Sequence, residues 1–211
     1  MTDWMHLLDT CRSIYAVGRN YAEHATELGN QVPDRPLWFM KSVAGLSHEG
    51  KVTFPSHLGP IHYEAEWLVR VGRNLALGSN AQYSDISHCG LALDFTAREL
   101  QGTLKKLQHP WDRSKSFANS CWIAGLVDAA IAKDGFRYML HVNGDLKQKG
   151  ASELMVFPVL ALMDDLLTFI SLQTGDLVLT GTPKGVGPVS QGDVLRLSSP
   201  TLGLIRELTI G

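Results

Sequence analysis

His62-Tyr63-Glu64-Ala65-Glu66-Trp67-Leu68-Val69-Arg70-Val71 is the stretch on which the reading of the fold turns. From Tyr63 onward, Tyr63, Ala65, Trp67, Val69 and Val71 alternate with Glu64, Glu66, Leu68 and Arg70, the period of two expected of a β-strand. On a strand alternate side chains share a face, so Glu64 and Glu66 point the same way. Two neighbouring carboxylates inside a fold are costly unless they are protonated, paired with Lys or Arg, or bound to a cation. The ordinary reading of such a pair is a solvated face of an antiparallel sheet. That reading is weakened here, because the opposite face is apolar and Leu68 continues the acidic one. Asp94, at the end of a second expected strand over Gly90 to Phe95, offers a third carboxylate. A donor set of carboxylates without cysteine is a hard-ligand site, suited to Mg²⁺ or Mn²⁺, with Ca²⁺ possible.

Outward from this stretch, Ile14 to Gly18 reads as a short buried strand. Asn20 and Glu23 then form a capping-box pattern that opens a helix closing near Gly29. That helix carries His24 and Glu27 at i and i+3, close enough to touch. A carboxylate beside an imidazole fixes its tautomer and favours its protonated form, so the pair is a candidate general base, the alternative being an ordinary surface pair. Thr96 to about Leu107 favours helix, as does Phe157 to about Leu172. Asn143-Gly144, flanked by Tyr138 to Val142 and Leu146 to Lys149, is a strong hairpin signal. Asp176 to Thr180, Asp193 to Leu197 and Leu204 to Thr209 read as late strands. Strands predominate and do not alternate regularly with helices, which predicts a mixed α+β fold over a doubly wound sheet.

Gly181-Thr182-Pro183-Lys184-Gly185-Val186-Gly187 invites a phosphate-loop reading, but its spacing lacks the four residues required between the first glycine and Gly-Lys-Ser/Thr. A glycine-rich loop lining a pocket fits better, with a plain structural turn as the alternative.

The chain of 211 residues, 45% hydrophobic, is long enough for one sizeable core, and dispersed glycines and prolines with no repeat lead us to expect a single domain over 1–211. A formal net charge of -2 with interspersed signs lacks the footprint of a nucleic-acid binder and points to small-molecule partners. Cys11, Cys89 and Cys121 are odd in number and widely spaced, suiting neither a disulfide framework nor a cysteine zinc site. No segment approaches the roughly 18 consecutive apolar residues of a membrane span. A cytoplasmic protein that does not engage the membrane is expected.

Taken together the motifs resemble the fumarylacetoacetate hydrolase family, and most of all its short acylpyruvate hydrolase branch, exemplified by fumarylpyruvate hydrolases. Gly18-Arg19-Asn20-Tyr21-Ala22-Glu23-His24 is similar to its G-R-N-Y-x-x-H opening, His62 to Glu66 to its H-x-E-x-E segment, and Asp94-Phe95-Thr96-Ala97-Arg98 to its D-x-T-x-R segment. Lys115-Ser116-Phe117 and Gly181 to Gly187 complete the series. The resemblance implies curved, rolled β-sheets with a few peripheral helices, and Mg²⁺ or Mn²⁺ held by Glu64, Glu66 and Asp94. It implies that His24 with Glu27 activates water, that Lys115 stabilises developing oxyanion charge, and that Arg98, Gln101 and Thr182 hold the substrate's carboxylate and oxo oxygens. Arg19 and Lys41 are counted with the substrate-binding residues, although Ser42 follows Lys41 where the family usually has proline. The implied activity is hydrolysis of a C–C bond in a 2-oxo acid such as fumarylpyruvate or acetylpyruvate. The alternatives are decarboxylation of oxaloacetate and isomerisation of an unsaturated 2-oxo diacid. A non-catalytic binding protein would have no use for the His24, Glu27 and Lys115 set. Relatives are commonly homodimers, and a homodimer is expected.

Overall fold

The computed structural model describes residues 4–27 and 29–211. In chain order its strands are β1 (Ile14–Gly18), β2 (Leu37–Lys41), β3 (Leu46–Ser47), β4 (Lys51–Val52), β5 (Ile61–Tyr63), β6 (Ala65–Val71), β7 (Ile86–Asp94) and β8 (Thr96–Ala97). They continue with β9 (Cys121–Asp128), β10 (Arg137–Val142), β11 (Asp145–Ala151), β12 (Leu177–Leu179), β13 (Gly187–Pro188), β14 (Val194–Ser199) and β15 (Leu204–Ile210). The α-helices are α1 (Ala22–Glu27), α2 (Arg98–Lys106), α3 (Asp112–Lys115) and α4 (Val159–Leu167). The expected α+β class is what forms.

Three sheets organise these strands: a seven-stranded one ordered β2-β1-β12-β6-β7-β9-β3, a five-stranded one ordered β11-β10-β14-β15-β4, and a small one ordered β13-β5-β8. Pairing is mixed. β1 with β12, β3 with β9 and β4 with β15 run parallel, and the other pairs run antiparallel. β6 lies inside the large sheet and every one of its residues is buried. Trp67, Val69 and Val71 pack into the principal core with Leu91, Trp122, Tyr138 and Leu197, while Leu68 joins a second cluster with Ile14, Ala16, Ile123 and Leu179. The solvated-face reading of the acidic pair therefore fails: both faces of this strand are covered.

The alternation from Tyr63 to Val71 spans two strands, because the chain changes sheets at Glu64. β5 pairs with β13 on one side and β8 on the other, at Tyr63 opposite Gly187 and Ile61 opposite Ala97. This smallest sheet draws three separate motifs together: the glycine-rich loop, the acidic segment and the Asp94-to-Arg98 segment. The hairpin over Asn143-Gly144 forms with both residues at positive φ, 52° and 88°, as a type I′ turn requires.

Two local readings give way to tertiary structure. Asn20 does not serve as a side-chain cap; its amide donates to the carbonyls of Phe157 and Thr180 and its oxygen accepts from Phe157 N–H, fastening β1 to the far end of the chain. The helix expected over Phe157 to Leu172 is shorter, starting after Pro158 and ending at Leu167, after which Leu172 bridges to Leu75. The three cysteines are free and buried. Among the described residues no helix is long and apolar enough to cross a membrane.

Candidate active site

Glu64, Glu66 and Asp94 are all buried and offer carboxylate oxygens that lie within 4.8 Å of one another. Glu64 occupies the junction of β5 and β6, Glu66 sits on β6, and Asp94 ends β7; the Asp94 N–H donates to the Glu64 carbonyl at 2.8 Å and fixes the two segments together. Such a set cannot stay ionised alone, and the structure supplies cations. The Lys115 ammonium donates to Glu64 Oε2 at 2.8 Å, to Asp94 Oδ2 at 2.6 Å and to Thr96 Oγ1 at 2.7 Å. Lys41 donates to Asp94 Oδ1 at 2.6 Å and to the Lys115 carbonyl, and Arg98 donates to Glu64 Oε1.

The three carboxylates do not share this relief equally. Burial raises the carboxyl of Glu64, but Lys115 and Arg98 outweigh it and hold the group well below the usual carboxylate range. Glu66 is pushed well above that range, by burial first and then by Asp94 and Glu64. Lys115 is raised above the ordinary lysine value because Asp94 and Glu64 overcome the opposing effect of burial. Among the described residues Glu66 accepts one hydrogen bond, from the Gly181 N–H at 2.7 Å, which leaves acceptor capacity facing the other two acids. Three buried, converging carboxylates with neither sulfur nor imidazole among them fit a hard divalent cation.

Glu64, Glu66 and Lys115 line a cavity, and so do Arg98, Gln101 and Thr182. Arg19 and His24 complete the expected residues on its wall; Arg19 follows β1 with φ at 61°, the left-handed region uncommon for a side-chain-bearing residue. His24 is buried and its Nδ1 lies 3.1 Å from Glu27 Oε2, so Nε2 is the nitrogen left to work on a ligand. Glu27 stands behind His24, and its other oxygen accepts the Gly185 N–H at 2.9 Å. Position 185 needs glycine for a separate reason: its φ is 96°, and a Cβ there would lie 2.1 Å from the Lys147 carbonyl oxygen.

Two expected substrate contacts are placed differently. Lys41 does not line the cavity: its side chain is buried and its ammonium is taken up by Asp94 Oδ1 and by the Phe95 and Lys115 carbonyls. The Thr182 hydroxyl donates to the Ala65 carbonyl and accepts from Gln148 Nε2, so on the cavity wall it presents a group already engaged. Gln148 had no motif to mark it, yet it is buried and ties Ala65 N–H, Thr182 and the Pro183 carbonyl into one network. Ser42, in place of the family's proline, uses its N–H to bond Ser116 Oγ at 3.0 Å, clasping the end of β2 to the residue after Lys115. Phe39, Lys105 and Trp111 also line the cavity and were unmarked by any motif. Lys115 Nζ sits 4.6 Å above the Phe39 ring.

Residues 13–208 match the sequence profile of the "Fumarylacetoacetate (FAA) hydrolase C-terminal" family. The chain belongs to the fumarylacetoacetate hydrolase family. Its curled, mixed sheets with few helices are the fold of that family, whose members are enzymes. A mitochondrial oxaloacetate decarboxylase of Dictyostelium discoideum is 39% identical over 195 residues, 89% of this chain and 88% of that protein. Oxaloacetate tautomerase YcgM of Escherichia coli (strain K12) is 36% identical over 190 residues, covering 88% and 87%. Among solved structures, the fumarylpyruvate hydrolase of Pseudomonas aeruginosa in complex with Mn²⁺ and pyruvate superposes with a TM-score of 0.87 at 28% identity, covering 95% of this chain and 89% of that one. The Mn²⁺ in that neighbour and the acidic triad here together support a divalent metal in this family member.

Proposed function

We propose that this family member interconverts the keto and enol forms of oxaloacetate, with decarboxylation of the same acid as the second reading. The observation that carries the proposal is the arrangement of one cavity. A carboxylate-backed histidine, His24, shares its wall with the charges of Lys115 and Arg98 and the amide of Gln101, which suit a 2-oxo acid. Tautomerisation needs one proton lifted from C3 and returned to the C2 oxygen, and a single histidine serves both ends without consuming water. His24 Nε2 takes that proton, Glu27 stabilises the imidazolium, and Lys115 and Arg98 neutralise charge on the C2 oxygen as it develops. Mg²⁺ or Mn²⁺ held by Glu64, Glu66 and Asp94 would supply Lewis-acid polarisation of the 2-oxo group.

Two relatives spanning nearly nine-tenths of the chain are named for oxaloacetate, and they support this reading over acylpyruvate hydrolysis, which rests on a less similar structural neighbour. The Dictyostelium relative is the specific reason to keep decarboxylation. In that reaction the C3–C4 bond breaks, its electron pair becomes the same enolate, CO₂ leaves, and C3 is protonated.

The test is one preparation assayed three ways, with Mg²⁺ or Mn²⁺ and after chelation by EDTA: decay of enol-oxaloacetate, release of pyruvate and CO₂, and cleavage of fumarylpyruvate and acetylpyruvate. Enol decay should be fastest, and EDTA should abolish it. Faster pyruvate release promotes the second reading. Cleavage of an acylpyruvate faster than either oxaloacetate reaction overturns both.

A further inference from the structure

Arg98, Gln101 and Lys105 stand at i, i+3 and i+7 on α2, one helical face, and all three line the cavity. Seven residues of helix advance about 10 Å, and Arg98 is largely covered and bonded to Glu64 while Lys105 is exposed, so Arg98 marks the buried side of the wall and Lys105 the solvent side. Its ammonium is held 4.6 Å from the centre of the Trp111 ring, which steadies an otherwise exposed side chain.

The cations of this site fall into two groups. Lys41, Lys115 and Arg98 are all paired with Asp94 or Glu64. Arg19 and Lys105 have no carboxylate partner among the described residues, although both line the same cavity. The mouth is therefore left with positive charge that the protein does not balance. Lys105 feels it: partial burial, then Arg19, Arg98 and Lys115, lower its amine to about 8, with Glu64 opposing. A 2-oxo monoacid has its single carboxylate taken up by the inner donors. A diacid brings a second negative charge to where the unbalanced cations stand.

We propose that Lys105, together with Arg19, forms a subsite for the far carboxylate of the substrate and makes the cavity select 2-oxo diacids over 2-oxo monoacids. The proposal rests on the reading of the cavity as a 2-oxo acid site, and its test does not require turnover. The probes are malate and lactate, the 2-hydroxy analogues that differ by the far carboxylate, with binding to the Mn²⁺-loaded full chain measured by calorimetry. The parent should bind malate more tightly than lactate. Lys105→Gln, which keeps the stem over Trp111, should weaken malate by about three- to fivefold, the upper part of the range for an exposed charge, and leave lactate within about twofold. Lys105→Arg should preserve the preference. Malate affinity in the parent should fall as pH rises through about 8, where the amine loses its charge, and Lys105→Arg should lack that fall.

Equal affinity of the parent for the two ligands, or an unchanged preference in Lys105→Gln, overturns the subsite. The two proposals separate cleanly. If oxaloacetate is not turned over but the preference collapses in Lys105→Gln, the subsite stands and the reaction fails; turnover with an unmoved preference means the reverse.

Discussion

The carboxylate cluster and the His24 helix face each other across one cavity, and they are built in opposite ways. Glu66 and Asp94 project from β6 and β7 in the middle of the seven-stranded sheet, with Lys41 and Lys115 buried against them. His24 rides on α1, a helix of six residues, too short to persist in water on its own. That helix is fastened to the glycine-rich loop by Glu27 to the Gly185 N–H and by Glu23 to Lys184. Like charges must be held together against their repulsion, and central strands do that. A base needs only correct placement beside an entering ligand, and a tethered turn of helix is enough for it.

The sharpest break in this comparison is chemical. His24→Ala removes the base and leaves the strands and the cluster untouched, so kcat for enol-oxaloacetate should fall by about 10²- to 10⁴-fold while Mn²⁺ affinity is preserved. Decarboxylation should lose much less, because enolate stabilisation does not depend on that proton. A variant within a few-fold of the parent in tautomerisation would show that His24 is not the base.

Lys115→Met should lose stability as well as the step, because the lysine both faces the cavity and balances the cluster. The lysine is buried and bridges Glu64 and Asp94, and stripping one partner from a buried ion cluster costs about 3–5 kcal/mol. Chemical denaturation of the metal-free protein measures it directly. Stability equal to the parent's would mean that Lys41 and Arg98 suffice to balance the cluster.

What could be read beforehand follows the range of the interactions. The alternation around Glu64 and Glu66, the Asn143-Gly144 turn and the candidate metal set were legible because each rests on neighbouring residues or on motifs with fixed spacing. The change of sheet at Glu64 was not, because it depends on pairing with Gly187 and Ala97, far away in the chain. Asn20 is not legible for the same reason: its side-chain oxygen, the atom a cap would use, accepts the distant Phe157 N–H instead. β9 is not legible because Cys121 to Val127 is an apolar stretch broken by Gly125, without the alternation that marks a half-buried strand. The bonds that Lys41 makes to Asp94 and that Thr182 makes to Ala65 and Gln148 are not legible in a motif, which names residues without saying which hydrogen bonds they have already made. Lys105 carried a usable signal, its helical spacing from Arg98 and Gln101.

Glu66→Gln sharpens the contrast within the cluster itself. Glu66 is the acid held above the usual range, so ionising it in the folded metal-free protein is unfavourable, and that burden grows as pH rises. Glutamine cannot ionise. The metal-free variant should be at least as stable as the parent at neutral pH, and should lose less stability than the parent as pH is raised. Its Mn²⁺ affinity should drop by about tenfold or more, roughly the 1.4 kcal/mol that one charged contact can supply. Unchanged Mn²⁺ affinity would remove Glu66 from the ligand set.

The smallest effect belongs to the outer tether. Lys184 and Glu23 are 3.2 Å apart, but their side chains are 62% and 67% exposed, so water screens the pair and each must give up side-chain freedom to hold it. Such pairs contribute at most about 1 kcal/mol, which in a chain of this size moves the thermal midpoint by no more than about 4 °C. Lys184→Ala should therefore melt almost with the parent, and any difference should vanish in high salt, where the parent's own pair is screened. If this bond alone positioned α1, kcat would collapse as it does in His24→Ala. With Glu27 still bonded to the Gly185 N–H, kcat should stay within about fivefold of the parent, the equivalent of about 1 kcal/mol. A loss approaching that of His24→Ala, persisting in high salt, would mean that the helix is held by Lys184 and not by the backbone of the glycine-rich loop.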